Sequence, residues 1–220
     1  MSLATFSSNA FTPDWLVLAG FNLKTQAITL ISGQNLTRGA LLGKIALGAA
    51  SSAAKSGGNT GGGTLTLDVT TPILANARAG VYTVRCTAAA TNSGTFRVTD
   101  PLGNVLGDVV VGSTFADQIK FVLADVGTDF IVGDGFDVTI AAGSGKYTLS
   151  LSAAVDGSQI PDAVLAETCD ASLGDLATVA YFAGGFDGAK LTLGTAHTVA
   201  SVREGLRVKD IHLVDFQTSY

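Results

Sequence analysis

Charge is scarce in this chain. Only 14% of its 220 residues are Asp, Glu, Lys or Arg, against roughly 25% in typical globular domains. Just two glutamates occur, Glu167 and Glu204. Helical surfaces are usually furnished with Glu and Lys, so a helical bundle is excluded and strands joined by turns are expected. A surface this poor in charge also fits an exterior partly covered by other subunits. The 13 basic residues face 18 acids, giving a net charge of −5, and they form no cluster beyond pairs such as Arg207 with Lys209. Binding nucleic acid needs several cations converging on phosphates, so no nucleic-acid partner is expected. Long apolar runs are missing too. Residues 15–20 (WLVLAG) are too few for a signal h-region or a transmembrane helix, so neither an export signal nor a membrane partner is expected. Cysteine is limited to Cys86 and Cys169, which fall in what read as separate domains. Two buried thiols in a protein assembled in a cytoplasm is the preferred reading, with a single bridge as the alternative.

What is present is apolar and rich in glycine. Hydrophobic residues make up 47% of the chain, enough for burial to offset chain entropy and exclude disorder. Residues 1–20 read as an arm, because Phe6, Phe11, Trp15, Leu16 and Leu18 follow neither a period of 2 nor one of 3.6. Such a segment either packs on its own domain or orders when it docks on a partner. Residues 21–48 begin a core domain, with a strand at 26–31 whose poor alternation predicts cover on both faces. Gly33, Gly39 and Gly43 then predict sharp turns and close backbone approach. Residues 49–63 (AASSAAKSGGNTGGG) read as a flexible linker by composition.

From residue 64 to 142 the pattern changes to alternation. Leu65, Leu67 and Val69 begin it, followed by Tyr82, Val84 and Cys86, then Phe96 and Val98. Ile119, Phe121 and Leu123 continue it, and Phe136, Val138 and Ile140 close it. Period 2 with polar residues between predicts half-wet sheets, and the strand spacing suits an immunoglobulin-like antiparallel β-sandwich. Residues 100–104 (DPLGN) carry the chemistry of a hairpin turn. Residues 143–220 complete the core domain, with strands expected at 146–151, 163–166, 177–183 and 206–214. A Gly-Gly turn is expected at Gly184–Gly185, and a helix at 196–203 stopped by Gly205. The fold class expected is therefore mainly β, with one short helix and an interrupting sandwich.

No constellation for catalysis stands out, so no enzyme activity and no cofactor are expected. His197 and His212 are the only histidines, and no nucleophile elbow accompanies them. The GSGK at 143–146 lacks the first glycine and the trailing Ser or Thr of a phosphate loop, and reads as a tight turn. Cys86 and Cys169 alone make no zinc site. Asp129, Asp134 and Asp137 are the nearest thing to a hard-cation group, but they lack EF-hand spacing and no metal is assigned to them.

Two segments carry a resemblance. SGQNLTRGALLGK at 32–44 and DGSQIPDAVLAE at 156–167, with LAGFNLKTQAITL at 18–30, YFAGGFD at 181–187 and GLRVKDIHLV at 205–214, are similar to the lambda D-like head decoration proteins of tailed phages. Here about a hundred residues separate the first two. The resemblance covers roughly half the chain, about residues 15–48 and 143–220. It implies a compact, mostly β decoration domain forming homotrimers that bind three-fold sites of the expanded capsid and stabilise it. The partners implied are further copies of the chain and the phage major capsid protein, on the outer capsid surface of the virion. The N-terminal arm is implied to meet the capsid, with Phe6, Phe11, Trp15 and Leu16 as its anchors. The sandwich at 64–142 is then an insertion pointing outward. An alternative is a tail or adhesin-like structural protein whose sandwich binds a host surface or glycan.

Overall fold

The computed structural model describes residues 15–215, and their strands fall into two groups around separate cores. The first group opens with β1 (Val17–Leu18), β2 (Lys24–Leu30), β3 (Gln34–Leu36) and β4 (Leu41–Lys44). The second comprises β5 (Leu47–Ala54), β6 (Thr64–Leu67), β7 (Gly80–Ala90) and β8 (Ser93–Thr99), then β9 (Val105–Val110), β10 (Thr114–Ala116), β11 (Lys120–Ala124) and β12 (Gly135–Ala142). The chain then returns to the first group through β13 (Tyr147–Leu149), β14 (Pro161–Leu165), β15 (Cys169–Ala171) and β16 (Leu176–Asp187). Helix α1 (Val199–Arg207) and β17 (Ile211–Val214) end it. The mainly β class expected from composition is what the structure shows.

In the first group the pairings β2–β16, β16–β14, β14–β4, β4–β13 and β13–β2 close a five-stranded ring. Its interior holds Leu30, Leu42, Tyr147 and Leu165 with small residues such as Ala163 and Ala180, as a narrow barrel requires. The opposite faces of β4 and β14 turn Leu41 and Val164 into a second layer with Phe186, Val202, Leu206 and Ile211. Alternation along a strand thus makes β4 and β14 the strands covered on both sides. The strand expected to be so covered, β2, is not. Lys24–Ala27 are exposed, and only Ile28 and Leu30 face the core.

The helix lies later than expected. Ala196 has φ +65°, so the helix cannot start there. Thr198 caps it instead, its Oγ1 accepting from Ser201 N at 3.1 Å while Thr198 N donates to Ser201 Oγ at 2.9 Å. Gly205 does not stop the helix, because Leu206 one residue on is fully buried in the layer it shares with Val202. The strand expected at 206–214 accordingly begins only at Ile211. Gly184 and Gly185 form no turn but lie inside β16, which pairs there with both β1 and β17. A Cβ at Gly185 would stand 2.1 Å from the Phe21 ring, so the glycine is needed for that close approach.

The second group is a sandwich of a five-stranded sheet, β5-β12-β7-β8-β9, on a three-stranded one, β10-β11-β6. Their inner faces interdigitate around Tyr82, Val84, Phe96, Val98, Phe121 and Phe136, as the alternation predicts, with Phe130 edge-on to Phe96 at 4.9 Å. Val69 departs from the pattern and is 96% exposed beyond the end of β6. The turn at 100–104 joins β8 to β9, and Asp100 accepts from the N–H groups of Leu102 and Asn104. The strand order differs from the immunoglobulin arrangement, whose first and last strands do not lie side by side. Here the first and last strands, β5 and β12, pair directly, as a sandwich entered and left through one neck requires.

The expected linker at 49–63 is not one. Its first six residues belong to β5, paired to β12 from Leu47 to Ala54. Of the glycines that follow, Gly57 and Gly58 stand in open space at a left-handed turn, but Gly61, Gly62 and Gly63 are packed. A Cβ at Gly61 would lie 2.7 Å from Phe130 Cδ1, and one at Gly63 would lie 2.2 Å from Phe130 Cζ. Glycine is used there to let the backbone lie against an aromatic ring.

Candidate functional site

The two halves of the split segment meet. In the β4–β14 pair, Leu42 lies opposite Ala163 and Leu41 opposite Val164. Gly39 N donates to Leu165 O, and Leu165 N donates to Ala40 O, each at 2.9 Å. Gly43 faces the Ser158 carbonyl so closely that a Cβ on it would stand 1.9 Å from that oxygen. Residues 32–44 and 156–167 therefore form one continuous part of the ring, although the sandwich separates them in sequence.

Two of the residues expected in the arm, Trp15 and Leu16, lie among the described residues. Trp15 is 63% exposed and has φ +53°, in the left-handed region. Leu16 is 2% exposed and belongs to the layer of Leu41, Phe186 and Leu213. Its carbonyl accepts from Asp187 N at 3.0 Å. Leu16 is therefore an anchor of the chain's own core and cannot present its side chain to a partner. Of the residues expected in the arm at 1–20, Leu16 packs in the ring's outer layer and Val17–Leu18 pair with β16. Phe6 and Phe11 lie outside the described residues. Leu16→Ala should cost about 2–5 kcal/mol of stability, as other buried leucine truncations do, whereas Trp15→Ala should leave stability within about 0.5 kcal/mol. Urea unfolding of the two variants checks both.

Beside β1, Phe21 and Leu23 are 40% and 42% exposed. Phe21 stacks on His212 with ring centroids 5.4 Å apart. With Lys24, Gly184 and Asp210 these rings bound a shallow cleft of about 170 Å³. Phe21 and Leu23 carry no motif of their own that marks them in the sequence. The signal available was their place at 21–23 beside a strand whose first four residues are polar or small and exposed.

The chemistry-bearing side chains are engaged in structure. His197 Nε2 lies 3.1 Å from the hydroxyl of buried Ser150, which itself donates to Ser158 O at 2.7 Å. Since the serine proton goes to that carbonyl, the imidazole must donate its own N–H, the reverse of the base a nucleophilic serine requires. Cys86 and Cys169 are free thiols buried in different cores, and burial pushes the Cys86 thiol up from its ordinary value. Cys169 Sγ contacts Thr178 Oγ1 at 2.9 Å. Gly145 (φ +72°) makes the GSGK segment a tight turn, and Lys146 pairs with Asp175. The three candidate carboxylates point to separate tasks. Asp129 accepts from Asn92 N, Asp137 pairs with Arg85, and Asp134 accepts from Thr60, Gly61 and Ile131 N–H groups. Among the described residues no three His, Cys, Asp or Glu side chains are grouped to hold a metal ion, and no helix is long and apolar enough to cross a membrane.

No match was found among curated proteins. Two solved structures of FlgL from Xanthomonas campestris, in different crystal forms, give TM-scores of 0.30 at 19% and 20% identity. They cover 48% and 49% of this chain, which spans about a third (33%) of their length. A likeness this slight carries neither fold nor function. The sequence profile described as bacteriophage lambda head decoration protein D matches residues 5–207. The matched span takes in the strands of the ring from β2 to β16, the sandwich and helix α1. The chain belongs to the bacteriophage lambda head decoration protein D family.

Proposed function

We propose that this protein is a structural component of the phage virion that decorates and cements the capsid. In this reading it forms a homotrimer, assembled in the host cytoplasm, and sits at three-fold sites on the outer surface of the expanded shell. The observation that carries the reading is the family match together with the direct pairing of β4 and β14, which joins the separated signature segments into one ring. The arm, residues 1–15, meets the major capsid protein, with Phe6, Phe11 and Trp15 as its apolar contacts. Leu16 fixes the base of the arm to the ring. The sandwich is an insertion between β4 and β13 that leaves the docking face free and projects outward.

The energetics favour a trimer over a single arm. An arm burying about 500 Å² of apolar surface gains at most roughly 12 kcal/mol gross, and ordering and association costs remove much of it. Three arms on one rigid body convert a weak contact into a persistent one through effective concentration. The other reading, host-surface or glycan binding by the sandwich, has less support. All six aromatic residues of the sandwich, Tyr82, Phe96, Phe115, Phe121, Phe130 and Phe136, are buried, so no ring is offered on which a sugar could stack.

The test uses expanded, undecorated capsids of the same phage, imaged by cryo-electron microscopy after addition of the full chain or of a chain lacking residues 1–14. The full chain should place density at three-fold positions. The shortened chain should fold unchanged, because β1 and Leu16 are kept, yet leave those positions bare. Equal decoration by both would remove the arm from the docking role, and bare three-folds with the full chain would remove the cementing role itself.

A further inference from the structure

The neck between ring and sandwich is not a pair of loops. The outgoing chain at 41–54 and the returning chain at 135–149 remain hydrogen-bonded to each other from one sheet into the other. Lys44 pairs with Tyr147 in the ring, and Leu47 pairs with Ala142 in the sandwich. Between them, Ile45 N donates to Lys146 O at 2.9 Å, Gly145 N donates to Ile45 O at 3.0 Å, and Gly143 N donates to Ala46 O at 2.9 Å. The register shifts once, between Ile140 and Ala142, so the ribbon bends as it enters the sandwich.

A third strand of chain grips this ribbon. The carbonyl of Asp156 accepts from both Ala46 N and Leu47 N at 2.8 Å. Gly157, at φ +97°, lies so close that a Cβ on it would stand 2.7 Å from the Ala46 Cβ. The gripping turn is itself tied down. Asp156 Oδ1 accepts from Ser158 N at 3.0 Å and Ser158 Oγ at 2.6 Å, and Gly157 N donates to Gln159 Oε1 at 2.8 Å. Beside the neck, Leu47, Leu74 and Ala77 face Val155 and Ile160 across an open groove of about 420 Å³. Ring and sandwich do not close tightly on that side, so apolar packing there does not set their angle.

We infer that the turn at 156–159 is a lock that holds the sandwich at one fixed angle to the ring. The sandwich is then a rigid projection rather than a domain swinging on a tether, whatever the ring binds. Six residues of the family signature, 156–161, thereby serve two tasks, lining β4 through Gly43 and clamping the neck through Asp156 and Gly157.

Distances between spin labels test this in the full chain, without capsids, so failure leaves the docking reading untouched. Val126→Cys on the sandwich and Leu173→Cys on the ring are exposed sites at 60% and 102%, and the native cysteines are buried. Labelled chain is diluted into excess unlabelled chain, so that only distances within one copy are read. A single narrow distribution is expected, broadened several-fold by Gly157→Val. A free tether of about five residues would spread the distance over about 12 Å, and such a spread in the otherwise native chain would overturn the lock. So would an unchanged width in folded Gly157→Val. Should that variant not fold, Ala46→Pro removes one of the two N–H donors to Asp156, and the same two outcomes apply.

Discussion

Gly43→Val is expected to leave the ring unable to close, with loss of the folded first group. Gly43 is not a turn glycine, and its φ is not left-handed. Its task is steric. It lies in β4 between Thr148 of β13 and Pro161 of β14, and a Cβ would meet Ser158 O at 1.9 Å, Ser158 C at 2.6 Å and Ser158 Cα at 2.8 Å. All three are backbone atoms, so no side chain can swing aside. The turn that would have to move is the one gripping the neck, and its shift would break the Asp156 hydrogen bonds as well. Substitutions that force backbone apart in a core belong to the exceptional class costing more than about 4 kcal/mol, a large part of the stability of an ordinary domain. Circular dichroism and thermal unfolding of Gly43→Val read the effect. Gly174→Ala is the control, since nothing lies within 4 Å of its added Cβ and its φ is not left-handed. A Gly43→Val protein as stable as Gly174→Ala would show that the turn yields at little cost.

Much of this architecture was legible in the sequence where one period governs a segment. Tyr82, Val84 and Cys86, with Phe96 and Val98, alternate strictly and line the sandwich core in that order. The segment at 49–63 was illegible because Ala, Ser and Gly carry no hydrophobic period. β5 is a strand because β12 supplies its ladder, and Gly61 and Gly63 are ordered because Phe130, far along the chain, lies against them. Leu16 was misread for a similar reason. In WLVLAG every residue could be core or anchor, and the choice is made by Phe186 and Leu213, about 170 and 200 residues later. The resemblance identified the two signature segments, yet composition alone gave no hint that the second also closes the neck. Nor could spacing show that His197 donates to Ser150, since that pairing depends on the return of the chain over the ring.

The second large effect is expected at Asp134, which organises the far end of the sandwich. Its side chain is 3% exposed, and its two oxygens accept from Thr60 N and Gly61 N at 2.9 Å and from Ile131 N at 3.1 Å. Burial pushes this carboxyl up from its ordinary value of 3.8, but the three N–H groups and the charge of Lys55 outweigh it, and the net shift is downward. Asp134→Ala would leave three amide donors without their acceptor and should cost about 3 kcal/mol. Hydrogen exchange at Gly61 and Ile131 should rise with it, while the ring amides stay protected. Asp134→Asn tests the charge. An amide offers one acceptor oxygen and turns an N–H₂ toward donors, so it should lose most of the same stability. Because the folded carboxyl titrates below the unfolded one, the native advantage over Asp134→Asn is fully present above the unfolded value of about 3.9. It disappears as pH falls through the folded value. The stability difference between the two proteins, measured by urea unfolding, should therefore be constant from neutral pH down to about 5 and shrink below about 4. A difference that grew on acidification would mean that the carboxylate is not the group holding loop 59–61 to loop 131–134.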